Sequence, residues 1–460
     1  MKEQLIQVAY LAASILFILG LRGMTSPATA RRGILLAEIG MLAAIVGTLL
    51  HHDIISYTWI IVGLLVGSAI GTAMALLTPM TAVPQRTAIA LSFGALAATL
   101  VGIAHYHQHG GDLGRGTMAA LGFEVMLGSI TITGALMAFG KLQELVRSAP
   151  VTWPGQNVIN GLLFLTTVAL FAMVVVDPGN DTLFYAMIGL GLVIGVLVVL
   201  PIGGADMPVV IALLNSYCGL ASAATGFVLG NNVLIIAGAL DGASGFILSI
   251  LMSKAMNRSF RNVLFGAFGG EAAAPAAAAA TARSVRSTNA EDLAVLLGYA
   301  RRVVVVPGYG MAVAQAQHEV REVMELVEKR GGEVVFAVHP VAGRMPGHMN
   351  VLLAEANVPY DRLKDMDEVN GEFERTDVVL VIGANDVVNP AARTDRSSPI
   401  YGMPILNADQ ARNIVVLKRS MGTGFAGIDN ALFYNPKTQM YFGDAKKSLG
   451  ALVAELRQLS

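Results

Sequence analysis

At residues 303–313 the chain reads VVVVPGYGMAV, a β-branched run that passes through two glycines, Gly308 and Gly310, into a stretch of helical character. A strand that turns this tightly into a helix lets backbone approach a pyrophosphate, whose charge the helix N-terminus favours. Val313 stands where the usual fingerprint has its third glycine, so a tight turn without a ligand fits these residues as well. Two further strand ends narrow the choice. His339 closes the run 334–338, at the place where a site for an unphosphorylated ribose usually carries Asp or Glu, and nothing acidic there repels a 2′-phosphate. Lys418, Arg419 and Ser420 close the run 414–417 with two cations and a hydroxyl, a set suited to a phosphate monoester, although a solvated basic strand end has the same composition. Together these residues favour NADP(H) over NAD(H) as a ligand.

A second set of groups lies inside apolar runs, where polar side chains are costly unless paired or wetted. Glu38, Glu124, Asp206, Asn215, Asn232 and Asp241 belong to it. Asp206 and Asn232 fall at expected helix ends, where capping or hydration accounts for them as well as function does. Glu124, Asn215 and Asp241 lie deeper and are the functional candidates of this set. His51, His52, His105, His107 and His109 gather at the expected outer ends of two helices; no acidic or cysteine ligand completes a metal site there, and no metal is expected. The single cysteine, Cys218, excludes an internal disulfide and a thiolate cluster, so redox chemistry has to use a borrowed cofactor.

The elements that carry these groups belong to two solvents. The chain is 54% hydrophobic and 14% charged, against roughly 25% charged in soluble proteins. Most of its 31 basic and 32 acidic side chains lie beyond residue 280. Nine apolar runs, near 4–21, 33–50, 57–78, 84–106, 117–140, 157–176, 181–201, 206–229 and 231–253, match a hydrocarbon core in length. The first has no clear cleavage site before Arg22 and reads as a retained helix. Arg22, Arg31, Arg32, Arg86, Lys141, Arg147, Lys254, Arg258 and Arg261 fall on one side, against Lys2 and Arg115 on the other, which places the C-terminal domain in the cytoplasm. Small-residue spacings such as Gly63, Gly67 and Gly71, or Gly191 and Gly195, suit close helix packing.

Beyond the spans, glycines, Pro275 and an alanine run over 266–290 read as a tether. Continuous apolar runs at 303–306, 334–338, 378–382 and 414–417 alternate with helical stretches such as 313–330 and 348–356. That alternation predicts parallel strands covered on both faces. The expected architecture is therefore a polytopic α-helical membrane bundle of nine transmembrane helices over 1–262, a flexible linker over 263–290, and an α/β doubly wound, Rossmann-like domain over 291–460.

The segments GYGMAVAQAQ from 308, HPVAGRMPGHMNVLLAEA from 339, GANDVVNPAA from 383 and VLKRSMGTGFAGIDN from 416 resemble the NADP(H)-binding domain of the proton-translocating NAD(P) transhydrogenases, in their beta subunit. MPVVIALLNSYCGLASAATGF from 207 and SKAMNRSF from 253 resemble the membrane part of the same subunit, so the likeness covers essentially the whole chain. It implies an oxidoreductase and translocase that passes hydride between NAD(H), held by a partner alpha subunit with membrane helices of its own, and NADP(H) held here, coupled to proton movement. It further implies a multi-pass protein of the bacterial inner membrane, a lipid bilayer around it, a dimer of the whole complex and no nucleic-acid partner. Matched residue by residue, Gly308, Tyr309 and Gly310, beside Val313, line the nucleotide, and His339, Gly343, Arg344 and Met345 form a loop over it. Asp386 sits by the nicotinamide side, and Lys418, Arg419 and Ser420 hold the 2′-phosphate. The family binds its dinucleotide reversed relative to ordinary Rossmann enzymes, so the glycines need not play their usual parts.

In the membrane, Asp206, Asn215, Ser244 and Gly245 match polar or small family positions, with Lys254 and Arg258 at the junction to the tether. One position departs: Leu91 stands where many members carry a histidine. Leucine carries no proton, so either Asp241 is a replacement relay or the titrating group lies on the partner's membrane helices. A channel gated by a dinucleotide-sensing domain would join the same two architectures, but no carbonyl filter motif is present.

Overall fold

A computed structural model describes residues 2–50, 57–79, 82–147, 151–203, 206–255, 260, 284–343, 347–396, 398, 400–424 and 426–459. It divides into two compact units, one built of long apolar helices and one of a covered sheet. Among the described residues nine helices are long and apolar enough to cross a membrane: α1 (Lys2–Gly23), α2 (Pro27–Leu49), α3 (Thr58–Leu77), α4 (Val83–His109), α5 (Arg115–Leu142), α6 (Gln156–Val176), α7 (Asp181–Val199), α8 (Met207–Leu229) and α9 (Asn232–Ala255).

Small residues decide which of these helices touch closely. A Cβ on Gly219 or Gly238 would strike backbone of the facing helix, so α8 and α9 approach until their main chains meet. Ser129 and Thr133 of α5 lie where a Cβ would stand on Gly191 and Gly195 of α7. Contacts of Gly102 with Val125 and of Gly128 with Thr99 set α4 and α5 antiparallel, and Gly134 against Leu214 joins α5 to α8. The helices α5 and α8 form the interior, with long runs of buried residues, whereas no residue of α3 is buried and nothing lies within 4 Å of where side chains on Gly63, Gly67 and Gly71 would begin.

The second unit is a six-stranded, wholly parallel sheet of order β3-β2-β1-β4-β5-β6. Its strands are β1 (Arg302–Pro307), β2 (Glu333–Val338), β3 (Leu363–Asp365), β4 (Val378–Ile382), β5 (Asn413–Lys418) and β6 (Thr438–Phe442). The helices are α10 (Ala290–Gly298), α11 (Tyr309–Ala314), α12 (Gln317–Lys329), α13 (His348–Glu355), α14 (Met366–Val369), α15 (Ala391–Thr394) and α16 (Ala445–Gln458). Two apolar clusters cover the two faces, and alternate residues of β1 enter one or the other: Val303 and Val305 on one side, Val304 and Val306 on the opposite side. Each such burial contributes about 1.5–3 kcal/mol relative to exposure, which is why these strands read as unbroken apolar runs.

Two strands escape that pattern. β3 has three residues and a half-buried Lys364, and β6 is mixed, with Thr438, Met440 and Tyr441 buried, Gln439 half-buried and Phe442 exposed. The single helix expected over 313–330 is two: Gln315 takes a left-handed conformation with φ 51°, and the chain restarts as α12. Ahead of α10, the Thr288 amide donates to the Met440 carbonyl at 2.9 Å and the Met440 amide to the Arg286 carbonyl at 2.7 Å, which adds a short parallel stretch outside β6.

Candidate functional site

The order of the strands places β1 beside β4, and the connections leave those two neighbours in opposite directions; open α/β sheets bind ligands in the crevice at such a switch point. The glycines of the first turn are built into it. Gly308 donates its amide to the Ile382 carbonyl at 2.8 Å, and Gly310 donates to the Gly383 carbonyl at 3.0 Å. A Cβ on Gly308 would stand 2.5 Å from Ala384 and Gly383 backbone, and one on Gly310 2.7 Å from the Gly383 Cα. Gly383 itself has φ 63°, in the region that favours glycine. Three glycines thus let the ends of β1 and β4 close against each other. The helix that follows, α11, has six residues, and Val313 on it is 45% exposed. Close backbone approach, more than a long helix dipole, is what this turn supplies.

His339 is buried at the end of β2. The Val341 amide donates to its Nδ1 at 3.2 Å, so the proton is on Nε2, which faces the Pro404 carbonyl at 2.9 Å. Burial pushes its pKa down to about 4, with the Pro404 carbonyl working the other way. A neutral His339 therefore pins the loop after β2 to the segment before β5. Gly343, with φ 109°, lies against His348 so closely that a Cβ would meet that ring, and the buried His348 faces Tyr309 with ring centroids 6.2 Å apart. Arg344 and Met345 lie outside the described residues.

At the far side of the crevice, Asp386 Oδ2 accepts from the Ala426 amide at 3.0 Å, and Gly424 is close enough that a Cβ would touch the carboxylate. Lys418 turns inward: its ammonium donates to the Gly422 carbonyl at 2.6 Å and sits 4.7 Å from the Phe433 ring centre. Burial lowers the Lys418 pKa, while Asp386 and Asp429 hold it up. Arg419 and Ser420 are exposed, and the Ser420 hydroxyl accepts from the Gly422 amide at 3.3 Å. The expected phosphate set is thus two exposed groups and a lysine that closes its own loop through the Gly422 carbonyl. Residues that motif reading did not single out complete this wall: buried Asn389 and Asn430 donate to the carbonyls of Asp429 and Asn385, both at 3.0 Å. Their signal was the recurrence of Asn and Asp in the segments from 383 and 416.

In the membrane unit Asn215 and Asp241 come together: the Asn215 amide donates to Asp241 Oδ1 at 2.8 Å, between α8 and α9. Ser244 donates to the Asp241 carbonyl at 3.0 Å, and Gly245 allows α9 to meet Ser216 and Ala212 of α8. Asp241 is exposed on this chain, halfway along α9. Glu124 stands apart. It is fully buried, against Gly102 and close to Thr225. Thr225 is ten residues beyond Asn215 on α8, about 15 Å along the axis. Gly94 of α4 faces Cys218, and α4 and α8 run parallel, so Leu91 is level with Asn215. Asp206 precedes α8 without capping it by its side chain. His105 and His109 stack with centroids 4.3 Å apart, and His107 bonds the Tyr185 hydroxyl. Among the described residues no three His, Cys, Asp or Glu side chains converge as metal ligands, and His51 and His52 lie outside them.

The sequence model of a family described as "NAD(P) transhydrogenase beta subunit" matches residues 6–455. Two sequences from Rhodospirillum rubrum, each described as "NAD(P) transhydrogenase subunit beta", are 48% identical over 461 residues, covering 98% of this chain and 99% of theirs. With the nine apolar helices and the parallel sheet, these matches establish that the chain belongs to the NAD(P) transhydrogenase beta subunit family of oxidoreductases.

Proposed function

We propose that the chain binds NADP(H) in the β1–β4 crevice and couples its hydride exchange, with NAD(H) on an alpha partner, to proton movement through the membrane unit. The observation that carries the reading is the pairing of Asn215 with Asp241 in the middle of two apolar helices, in a chain whose sheet presents a glycine-lined crevice beside Arg419 and Ser420. The crevice fits a dinucleotide because the space that a Cβ would fill at Gly308 and Gly310 is taken up by tight backbone contact, which leaves main chain rather than side chains at the strand ends. When bound, NADP(H) supplies the nicotinamide that gives or accepts hydride.

Hydride transfer between two nicotinamide rings needs no acid or base from the protein, so proximity and exclusion of water are this chain's contribution. Arg419 and Ser420 fit a 2′-phosphate; Asp386, fixed by the Ala426 amide, shapes the same wall of the crevice. Coupling requires that protonation in the membrane bias the affinity of the nucleotide domain, reciprocally. The domain division 1–262, 263–290 and 291–460 belongs to the same proposal, with the sheet domain on the cytoplasmic face of a bacterial inner membrane.

Two carboxylates support a partner inside the membrane. Glu38 lies mid-helix on α2 and Asp241 mid-helix on α9, both exposed on the isolated chain. Lipid is no solvent for either, so further protein covers these faces. With Leu91 level with Asn215, helices of the alpha partner are the source we propose for that cover and for the titrating group, within a dimer of the whole complex.

The test is the reconstituted complex in closed vesicles, followed simultaneously for hydride transfer and internal pH. Wild type is expected to move protons with each turnover, and Asn215→Leu to stop proton movement while NADP(H) still binds. Hydride transfer without any pH change in wild type rejects the reading, and an Asn215→Leu variant that pumps normally places the path elsewhere.

A further inference from the structure

One buried cation in the membrane unit has no part in the scheme above. Lys141, in the last turn of α5, is 1% exposed. Its ammonium donates to the carbonyls of Leu200, at 2.5 Å, and Ile202, at 2.7 Å. Those carbonyls lie at the C-terminus of α7 and in the turn that leads to α8. A helix C-terminus carries unsatisfied carbonyls and partial negative charge, and an ammonium with three donors suits both. Holding a lysine this deep for packing alone would be unfavourable, since a charge removed from water has to be matched by its acceptors.

The lysine is the centre of a wider knot. The Val151 amide, in the connection from α5 to α6, donates to the same Leu200 carbonyl at 3.3 Å. Gln85, in the first turn of α4, donates to the Leu142 carbonyl at 3.3 Å, one residue from Lys141. Asn160 of α6 reaches the Leu197 carbonyl of α7 at 3.5 Å. Four helices are thereby joined at one end of the bundle. Because α5 and α8 run antiparallel with Gly134 against Leu214 and Glu124 near Thr225, the position of Lys141 is level with the first turn of α8. The turn that Lys141 grips is therefore the one that sets where α8 begins, and α8 carries Asn215.

We infer that Lys141 is a positioning residue for the coupled reaction: by clamping the α7–α8 turn it fixes the axial position of α8 and so the meeting of Asn215 with Asp241. This rests on the reading that the membrane unit moves protons. A slipped α8 would still leave the nucleotide crevice intact, so the expected defect is in coupling rather than in hydride exchange.

The experiment uses the complete complex in closed vesicles and reads protons moved per hydride transferred, for wild type, Lys141→Met and Lys141→Arg. Loss of the clamp is expected to lower that ratio by about threefold or more, and arginine, which keeps the charge and several donors, to restore it. An unchanged ratio in Lys141→Met, even at a reduced rate, makes the residue merely structural and overturns the inference, as does a failure of Lys141→Arg to restore the ratio. Should Lys141→Met not assemble, amide exchange over residues 199–207 in the wild-type complex decides: slow exchange supports the clamp and exchange at the solvent rate refutes it. Hydride transfer with no proton movement in wild-type vesicles removes the proposed function itself, and the inference with it.

Discussion

The sheet unit closes its geometry with its own residues, whereas the helical unit leaves carboxylates of its apolar helices exposed. Strands β1, β2, β4 and β5 are covered on both faces, and the buried polar groups of their loops, among them His339, Asn389 and Asn430, meet partners a few residues away in space. The membrane unit leaves Glu38 and Asp241 exposed in mid-helix and one helix, α3, without a buried residue. The contrast shows where each unit obtains its specificity. The sheet domain holds its geometry by main-chain contact between strand ends, and the bundle holds its own through small residues and polar pairs such as Asn215 with Asp241.

The largest effect tests the sheet unit at its tightest point. Gly308→Val would force a side chain into the Ala384 backbone, where even a Cβ stands 2.5 Å away. Backbone cannot withdraw as a flexible side chain does, so a loss of more than about 4 kcal/mol is expected, with NADP(H) binding abolished. Thermal unfolding and calorimetry check it, and a variant that melts near wild type would mean the two strand ends are not locked together.

A somewhat smaller effect comes from acid. His339 has its pKa held at about 4 in the fold, below the ordinary value of 6.5. The unfolded chain then binds a proton that the folded domain refuses, so this contribution is fully present above pH 6.5 and is lost as pH falls toward 4. The whole difference amounts to about 3 kcal/mol. Denaturant midpoints of wild type and His339→Asn across that range should converge as pH falls; parallel curves would show that the ring is not what titrates.

How far these sites were legible in the sequence follows from the same contrast. Four strands were readable because both of their faces are buried and their residues are uniformly apolar, while β3 and β6, short and mixed, gave no such run. The glycines of the first turn were readable as a turn, but their contact with Gly383 joins residues about 70 apart in the chain, which no local pattern encodes. Lys418 and Arg419 looked alike as neighbours at a strand end; only packing turns one toward Phe433 and leaves the other exposed. Asn215 and Asp241 each stood out by being polar in an apolar helix, yet their hydrogen bond depends on glycines that let α8 and α9 touch.

Arg419 sharpens the comparison at the ligand. It is exposed, so its removal costs the free domain little, and its contribution appears only when a phosphate arrives. Charged hydrogen bonds of this kind contribute about 1.5–3 kcal/mol, so Arg419→Ala should weaken NADP(H) by about ten- to a hundredfold and leave NAD(H) unchanged. Titration calorimetry with both nucleotides decides; equal loss for the two would place the guanidinium elsewhere than on the 2′-phosphate.

The smallest effect belongs to α3. Gly67 has nothing within 4 Å of where its side chain would start, whereas a Cβ on Gly219 would meet the backbone of Gly242 and Gly238. The same change, glycine to alanine, therefore has unequal consequences in the purified chain. At Gly219 it should separate α8 from α9, break the Asn215–Asp241 hydrogen bond and lower thermal stability in detergent by several degrees. At Gly67 it meets only solvent or detergent, and the change in stability should stay within about 1 kcal/mol, with alanine's better helix propensity offsetting any loss. A Gly67→Ala variant that melts as early as Gly219→Ala would mean that α3 packs on the bundle of its own chain, and the membrane unit would then be more nearly complete than its exposed carboxylates indicate.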